Sequence, residues 1–302
     1  MSFDLQVKNI RYDGIFPVHI DWSPCGKYLA LGFDNGVVQL ITPEGESVWR
    51  LVEPHDDKVR RVTFSPDGSK LISTSVDKYF CIWDTSDGEE IEEFELNEPI
   101  LYPVWSPDGT KILVDGPDCR PQIRDAESFE VEYEGVEHYE HNTAVAWGPN
   151  DIIASGSFDN FVHLIDLKEK EYLYSLTCFK EEIVHLCPLK RDQFFLVTGV
   201  ADGQLTLHDI DTGMELMNKK AHEGRINDIK STLDGRAFAT AGADNTVRIY
   251  SSDLLTEFLS FPYFQNEVCS IAFSPDGKFL ATASIFEGLS IWEVGAWYPD
   301  GF

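Results

Sequence analysis

The chain has 302 residues, of which 43% are hydrophobic and 25% charged, and its 52 Asp and Glu against 24 Lys and Arg give a formal net charge of −28. This length allows a sizeable buried core, whereas so acidic a surface disfavours nucleic acids and anionic membranes, because phosphate groups are bound by Lys and Arg. The charge favours solubility and long-range attraction for basic partners.

The first predicted element is a strand at residues 3–11, FDLQVKNIR. The start of the chain lacks a basic region followed by an apolar one, and no uncharged apolar run approaches ~18 residues, so we expect neither a secretory signal nor a membrane span. The six cysteines show no CxxC spacing and no closely spaced pairs. We therefore expect reduced thiols in a cytoplasmic or nuclear protein.

A degenerate repeat follows this strand and continues to residue 293. Its most complete copy is SPDGSKLISTSVDKYFCIWD, residues 65–84, and six weaker copies resemble it. The final dipeptides of the seven copies end at residues 42, 84, 125, 166, 209, 251 and 293. A near-constant period of this length indicates a repeat architecture.

Within each copy the pattern predicts β-strands. A Pro-Asp-Gly type turn precedes a short apolar run, an Asp-containing turn follows, and an alternating run such as YFCIWD completes the copy. Flanking runs on either side, VRRVTF and EEIEEFEL around the second copy, raise the count to about four strands per period. Helical periodicity is hard to find anywhere in the chain.

Four-stranded units of this period match the blades of a β-propeller, and on these motifs the chain resembles the WD-repeat family. The resemblance implies an all-β fold, a single seven-bladed propeller of four-stranded antiparallel blades over residues 1–302. It also implies that residues 3–11 supply the outer strand of the last blade and close the ring, which removes exposed sheet edges. Residues 295–302 remain as a C-terminal tail.

The resemblance further implies a buried network of His, Ser or Thr, Asp and Trp within a blade. The second blade has the full set, and the sixth has Tyr in place of Trp; these residues are His55, Ser73, Asp77 and Trp83, and His222, Thr240, Asp244 and Tyr250. The fourth blade offers His138, Ser155 and Asp159, with Ile165 at the Trp position. Such groups satisfy one another when buried, so we interpret them as structural.

The same His, Ser and Asp could suggest a hydrolase triad, but no G-x-S-x-G elbow accompanies them. Adjacent acidic pairs lie in polar turns or alternate across a strand, and the glycines match no phosphate-binding loop. The sequence therefore predicts no enzyme, no cofactor and no metal site.

In WD-repeat proteins the top face is built by residues near the start of each inner strand and just before each turn Asp. The matching candidates for partner binding are Phe16, Phe33, Lys58, Arg60, Val76, Leu101, Phe158, Arg225, Asn227 and Ile285. Aromatic residues and Arg dominate interface hot spots, and basic residues in so acidic a chain suggest an acidic or acidic-hydrophobic partner segment. The alternative is that some of the apolar side chains plug the mouth of the channel.

The outer strands of the second and third blades, residues 89–98 and 127–140, alternate Glu with apolar residues. Charges on an outer edge discourage aggregation between strands, and docking of a basic partner is the alternative.

These patterns favour a non-catalytic protein-interaction scaffold within a larger intracellular complex. One alternative is a receptor for short peptides, of the ubiquitin-ligase or chromatin type. Another is a subunit of a translation-initiation or mRNA-processing and export complex, because residues 221–250 and 190–294 resemble WD-repeat subunits of those kinds. Generic similarity between blades also explains both of these likenesses.

Overall fold

A computed structural model of the chain describes residues 6–96, 98–100, 102–190, 194–253, 255–261 and 264–295. The described residues form β-strands joined by short turns, with one 3-10 turn at Pro149–Asp151. The strands are β1 Gln6–Ile10, β2 Pro17–Trp22, β3 Leu29–Phe33, β4 Val38–Ile41, β5 Ser47–Leu51, β6 Val59–Phe64, β7 Lys70–Ser75, β8 Tyr79–Asp84, β9 Glu90–Glu95, β10 Val104–Trp105, β11 Lys111–Val114, β12 Gln122–Asp125, β13 Val131–Glu134, β14 Asn142–Trp147, β15 Ile152–Ser157, β16 Val162–Asp166, β17 Glu171–Leu176, β18 Ile183–Lys190, β19 Phe194–Val200, β20 Gln204–Asp209, β21 Met214–Lys220, β22 Ile226–Ser231, β23 Ala237–Gly242, β24 Val247–Ser251, β25 Glu257–Phe261, β26 Val268–Phe273, β27 Phe279–Ser284 and β28 Gly288–Glu293.

These strands form seven sheets of four strands each. Six sheets use consecutive strands, β2–β5 for the first blade through β22–β25 for the sixth, and each predicted repeat ends on or within two residues of the third strand of its sheet. The seventh sheet has the order β1-β28-β27-β26, in which Ile10 pairs antiparallel with Leu289. The prediction of four-stranded antiparallel blades, with the last completed by the N-terminal strand, is confirmed. Residues 3–5 of that predicted strand, and residues 296–302 of the predicted tail, lie outside the described residues.

The chain divides into two compact units. The first comprises Met1–Leu101, Asn245–Val247 and Phe258–Phe302, and the second comprises Tyr102–Asp244 and Arg248–Glu257. The first, second and seventh blades belong to the first unit. The third, fourth and fifth blades, with most of the sixth, belong to the second.

In the first unit, apolar strands pack face to face between neighbouring blades. Ile20 and Leu31 of the first blade share a buried cluster with Ala281 and Leu289 of the seventh. Gly32 on β3 permits the close approach of the second blade, since a Cβ at this position would lie 2.4 Å from Cγ1 of Val59. Small residues on the second strand thus set the spacing between blades.

The second unit repeats this arrangement. Leu164 and Leu196 belong to one cluster between the fourth and fifth blades, and Phe238 and Tyr250 to another between the fifth and sixth. Gly156 on β15 corresponds to Gly32, because a Cβ there would lie 2.4 Å from Cγ2 of Ile183. Within the described part of the chain, no helix has the length and apolar character needed to cross a membrane.

Candidate protein-interaction face

The top end of six blades, where the inner strand begins, carries a recurrent backbone hydrogen bond. The N–H of a residue in the hairpin between the second and third strands donates to the carbonyl of the residue just before or at the start of the inner strand. The pairs, donor first, are Asp34 and Phe16, Val76 and Lys58, Phe158 and His141, Ala201 and Glu182, Ala243 and Arg225, and Ile285 and Glu267, at 2.9 to 3.3 Å. These bonds define matching top-end positions in six blades.

A second recurrent feature is a register shift near the start of the inner strand. In the second blade, Val59 and Arg61 pair with Ser75 and Thr74, so that Arg60 lies between them out of register. Asn227 occupies the same place between Ile226 and Asp228 of the sixth blade. Bulges of this kind re-aim a side chain and are frequent at functional positions, which gives these two predicted residues a specific backbone setting.

At the top end of the first unit, two aromatic rings contact each other. Phe16 and Phe286 lie edge to face with ring centroids 4.4 Å apart, and Phe286 is 67% exposed. Phe286 lies beside the predicted residue Ile285 in a turn of the seventh blade and has a φ of +65°. Sequence reasoning missed it, although it stands where the second, fourth and sixth blades carry a turn Asp.

The other predicted residues of the first unit flank the second blade's inner strand. Val76 is 43% exposed, and Lys58 and Arg60 are half-buried. Neither basic side chain forms an ion pair with a described residue. This end of the second blade therefore combines an exposed apolar side chain with two unpaired cations.

The top end of the second unit is more strongly paired. Arg225 is exposed and lies 3.7 Å from the carboxylate of Glu182 on the neighbouring fifth blade. Phe158 is 40% exposed, and Asn227 is half-buried. Glu182 was not among the predicted residues, because the fifth blade aligns least clearly with the others.

Of the predicted top-face residues, one is contradicted by the structure and another lies outside the described residues. Phe33 is completely buried and packs edge to face on Tyr12 with ring centroids 4.9 Å apart. Asp34, one residue later, takes the top-end position in its place, so the prediction of Phe33 as a partner contact is wrong. Leu101 lies outside the described residues.

The buried network of the second blade contains all four side chains named from the sequence. His55 lies 3.0 Å from the carboxylate of Asp77 through Nδ1 and 2.7 Å from Ser73 Oγ through Nε2. Trp83 donates its indole N–H to the same Ser73 Oγ at 2.8 Å. Ser73 is completely buried and serves two partners, which keeps its hydroxyl from any substrate.

The other blades hold parts of this network. His138 reaches Ser155 at 2.9 Å and Asp159 at 3.0 Å, and His222 reaches Thr240 at 2.7 Å and Asp244 at 2.8 Å. Tyr250, predicted as the fourth member in the sixth blade, instead stacks on Phe238 with ring centroids 5.3 Å apart, and its hydroxyl does not bond Thr240. A phenol carries its O–H at the tip of the ring, whereas an indole carries its N–H at the side, so Tyr250 does not replace the bond that Trp83 makes to Ser73.

Phenylalanine replaces the network histidine in two blades. Phe264 lies 5.6 Å from the ring of Trp292, and Trp292 keeps its hydrogen bond to Thr282 Oγ1 at 2.9 Å. Phe179 lies 5.5 Å from the ring of His208, which stands at the Trp position of the fifth blade. Apolar packing thus substitutes for buried polar groups, whose desolvation is costly.

Burial governs the titration of the network histidines. Desolvation lowers the pKa of His55, His138 and His222, and the carboxylate beside each ring offsets part of that shift. His163 stacks on His138 with ring centroids 4.0 Å apart, and burial together with this neighbour lowers its pKa to about 4. These rings are neutral at pH 7.

The acidic outer strands face solvent. Every described residue of β9 apart from Phe94 is exposed, as are Val131, Glu132 and Glu134 of β13. Two carboxylates in the second acidic range, Glu132 and Glu137, are already paired with Lys111 and Arg120. The outer strand of the second blade is thus the more open of the two acidic surfaces.

Among the described residues, two groups of side chains each bring three potential metal-ligand atoms within 4.8 Å of one another: His138 with Asp159 and His163, and Cys178 with His208 and Glu215. The sequence predicted no metal site, because neither group is contiguous. All six cysteines are unbridged.

Seven four-stranded antiparallel sheets define the chain as a β-propeller. The profile of the family "WD domain, G-beta repeat" matches residues 45–84, 213–251 and 258–285. Three segments of this β-propeller thus match the WD-repeat family model.

Its similarity to individual proteins is distant. It is 26% identical over 231 residues to THO complex subunit 3 of Arabidopsis thaliana, covering 74% of this chain and 73% of that protein. It is 24% identical over 285 residues to actin-interacting protein 1 of Drosophila melanogaster, covering 92% of this chain but 40% of that protein. It is 26% identical over 227 residues to eukaryotic translation initiation factor 3 subunit I of Coccidioides immitis (strain RS), covering 67% of this chain and 65% of that protein. Relatives of this kind include named subunits of multiprotein complexes.

Proposed function

We propose that the chain is a non-catalytic interaction scaffold, a subunit of an intracellular protein complex in the cytoplasm or nucleus. It holds an acidic or acidic-hydrophobic segment of a partner protein at its top face. The observation that carries this proposal is the contact between half-buried Phe16 and exposed Phe286. The same compact unit contains Lys58 and Arg60, which form no ion pair with a described residue. Exposed aromatics and basic groups are typical of interface hot spots.

The charge distribution supports the choice of partner. A chain of net charge −28 repels acidic ligands over most of its surface, so basic groups gathered at one end of a blade favour that end for an acidic segment. The acidic ranges 89–98 and 127–140 offer a secondary surface for a basic partner. Direct binding of nucleic acid or a membrane is disfavoured by the same charge.

A more specific assignment follows two relatives. THO complex subunit 3 and initiation factor 3 subunit I are subunits of complexes by name, which favours a subunit of an mRNA-export or translation-initiation complex. A receptor that reads short peptides, of the ubiquitin-ligase or chromatin type, would use the same top face with a weaker, exchangeable partner.

Affinity purification of the tagged chain followed by mass spectrometry tests the proposal. We expect one stoichiometric set of partners with the natural chain, and its loss from the double variant Lys58→Glu and Arg60→Glu. The matched control is Arg236→Glu with Lys278→Glu, which makes the same charge change at exposed turns at the opposite ends of the sixth and seventh blades. Equal recovery of partners by both variants would show that the top face is not the binding surface.

A further inference from the structure

Three side chains of the fifth blade converge on one point. His208 on β20 and Glu215 on β21 are directly paired in the strand register. Cys178, in the segment that leads from β17 to β18, places its Sγ 3.2 Å from Nε2 of His208. The sulfur, a ring nitrogen and a carboxylate oxygen all lie within 4.8 Å of one another.

In the fifth blade, these three side chains converge where the second blade carries its buried hydrogen-bond network. Phe179 stands where the second blade has His55, and His208 stands where it has Trp83. His208 is 1% exposed, and its Nδ1 and the nearby strand's Thr198 Oγ1 have no hydrogen-bond partner among the described residues. The imidazole therefore does not reproduce the indole's bond to the hydroxyl, and Nε2 is directed at the cysteine instead.

The set of donors selects the ion. Thiolate, imidazole and carboxylate are the three side-chain ligands of Zn²⁺, whereas Ca²⁺ and Mg²⁺ require oxygen ligands. Ligand bonds of about 2.3 Å to sulfur and about 2.0 Å to nitrogen in a tetrahedron separate those two atoms by about 3.5 Å. The observed 3.2 Å between Cys178 Sγ and His208 Nε2 needs only a small adjustment. A thiolate and a carboxylate also balance the charge of a divalent cation.

We propose that Cys178, His208 and Glu215 bind one Zn²⁺ with three protein ligands and one open coordination position. The bound ion ties the connection between the fourth and fifth blades to the third and fourth strands of the fifth. Cys178 and Glu215 are exposed, so the open position is accessible to water or to a donor group of a partner protein. This site is independent of the proposed top-face function.

Binding requires the thiol to lose its proton. Zinc is bound by the thiolate form of cysteine, so the thiol proton of Cys178 is released to solvent when the ion binds.

The second candidate group, His138 with Asp159 and His163, serves as the internal comparison. Both ring nitrogens of His138 are engaged, with Ser155 and Asp159, at 2.9 and 3.0 Å. An ion there would break the fourth blade's network, so we expect this group not to bind.

The test is a titration of the purified, reduced, chelator-treated full chain with Co²⁺, followed by displacement with Zn²⁺. We expect one equivalent of Co²⁺ to bind with a thiolate-to-cobalt charge-transfer band in the near ultraviolet, and Zn²⁺ to abolish that band. Cys178→Ser removes the band and weakens Zn²⁺ binding by about 100-fold or more, and Glu215→Gln weakens it by about 10-fold or more. Cys25→Ser, at another exposed cysteine, behaves as the natural chain.

Thermal melting without metal verifies that each variant is folded, and Zn²⁺ should raise the melting temperature of the natural chain but not of Cys178→Ser. The proposal is overturned if the natural chain binds no Zn²⁺, or if the charge-transfer band survives in Cys178→Ser. It is also overturned if His163→Ala, rather than Cys178→Ser, abolishes binding. None of these outcomes depends on which proteins co-purify with the chain.

Discussion

Phe286 contacts Phe16 edge to face across the boundary between the seventh and first blades, with ring centroids 4.4 Å apart. An exposed phenylalanine with a φ of +65° is unusual, because a bulky side chain in the left-handed region is strained. The second, fourth and sixth blades place Asp at the matching turn position. The seventh blade thus keeps an aromatic ring at the top face at a cost to its own turn.

Replacing Phe286 with Asn should separate binding from stability. Asn tolerates the left-handed region better than Phe, so we expect the free energy of unfolding to stay within about 0.5 kcal/mol or to rise. Loss of the exposed ring should weaken partner binding by about 10-fold or more. Chemical denaturation and quantitative pull-down measure the two effects, with Leu233→Asn as an exposed apolar control. Undiminished pull-down would exclude the aromatic pair from the interface.

Ser73→Ala and Thr74→Val make a matched pair on β7. The first leaves His55 and Trp83 without their shared partner and should lower the free energy of unfolding by about 2 to 3 kcal/mol. The second removes a completely buried hydroxyl that has no hydrogen-bond partner among the described residues, and should be neutral or stabilising. Urea denaturation measures both. Similar losses in the two variants would mean that volume, rather than hydrogen bonding, matters at this strand.

Gly156→Ala should lower the stability of the protein, because the fourth and fifth blades are too closely spaced for an added methyl group. The added methyl meets the side chain of Ile183, and such overpacking costs about 1 to 3 kcal/mol. Ile183→Ala removes the atom that the added methyl would approach most closely, Cγ2 at 2.4 Å, but keeps Cβ at 2.9 Å. The double variant should therefore lose less stability than the sum of the two single changes, without full recovery. Additive losses in this double-mutant cycle would indicate that the backbone moves instead.

As the pH falls, we expect the protein to begin losing stability at a pH well above the ordinary pKa of carboxylates. His163 and His208 have a pKa of about 4 when folded and about 6.5 when unfolded. Between these values only the unfolded chain gains the protons, so the stability present above pH 6.5 is lost as the pH falls toward 4. Each ring accounts for about 2 kcal/mol between pH 7 and pH 5.

His163→Phe checks this account, because the replacement ring can still stack on His138 but does not titrate. The difference in the free energy of unfolding between pH 7 and pH 5, measured in urea, should be smaller by about 2 kcal/mol in this variant. An unchanged difference would assign the acid sensitivity to other groups.

Most of the fold follows from the repeat. Turn residues at a fixed period place the strands, and the second blade's network appears as its sequence spacing implies, since His55, Ser73 and Trp83 occupy positions that strand geometry fixes. The error at Phe33 arises because a shift of one residue exchanges the two faces of a strand. In the first blade the turn Asp comes one residue earlier than in the second, so Asp34, rather than Phe33, takes the position of Val76.

The missed residues depend on contacts between distant segments. Phe286 is recognised as a candidate interface residue only from its contact with Phe16. Cys178 is recognised as a candidate ligand only from its proximity to His208 and Glu215. Each of these side chains, taken alone, has an ordinary interpretation as a turn or surface residue. A spacing motif identifies groups that are close in sequence, whereas these pairs are brought together by the packing of sheets.

The pairing of β1 with β28 also bears on how the chain is made. Six sheets can form from consecutive strands as they leave the ribosome, but β1, although synthesised first, has no sheet to join until β28 is complete. During that interval its backbone N–H and C=O groups remain unpaired, and the last sheet forms only by closing the longest loop in the molecule. Assembly of the seventh blade is therefore expected to be the slow, final step, and the stage at which the nascent chain is most exposed to misassociation.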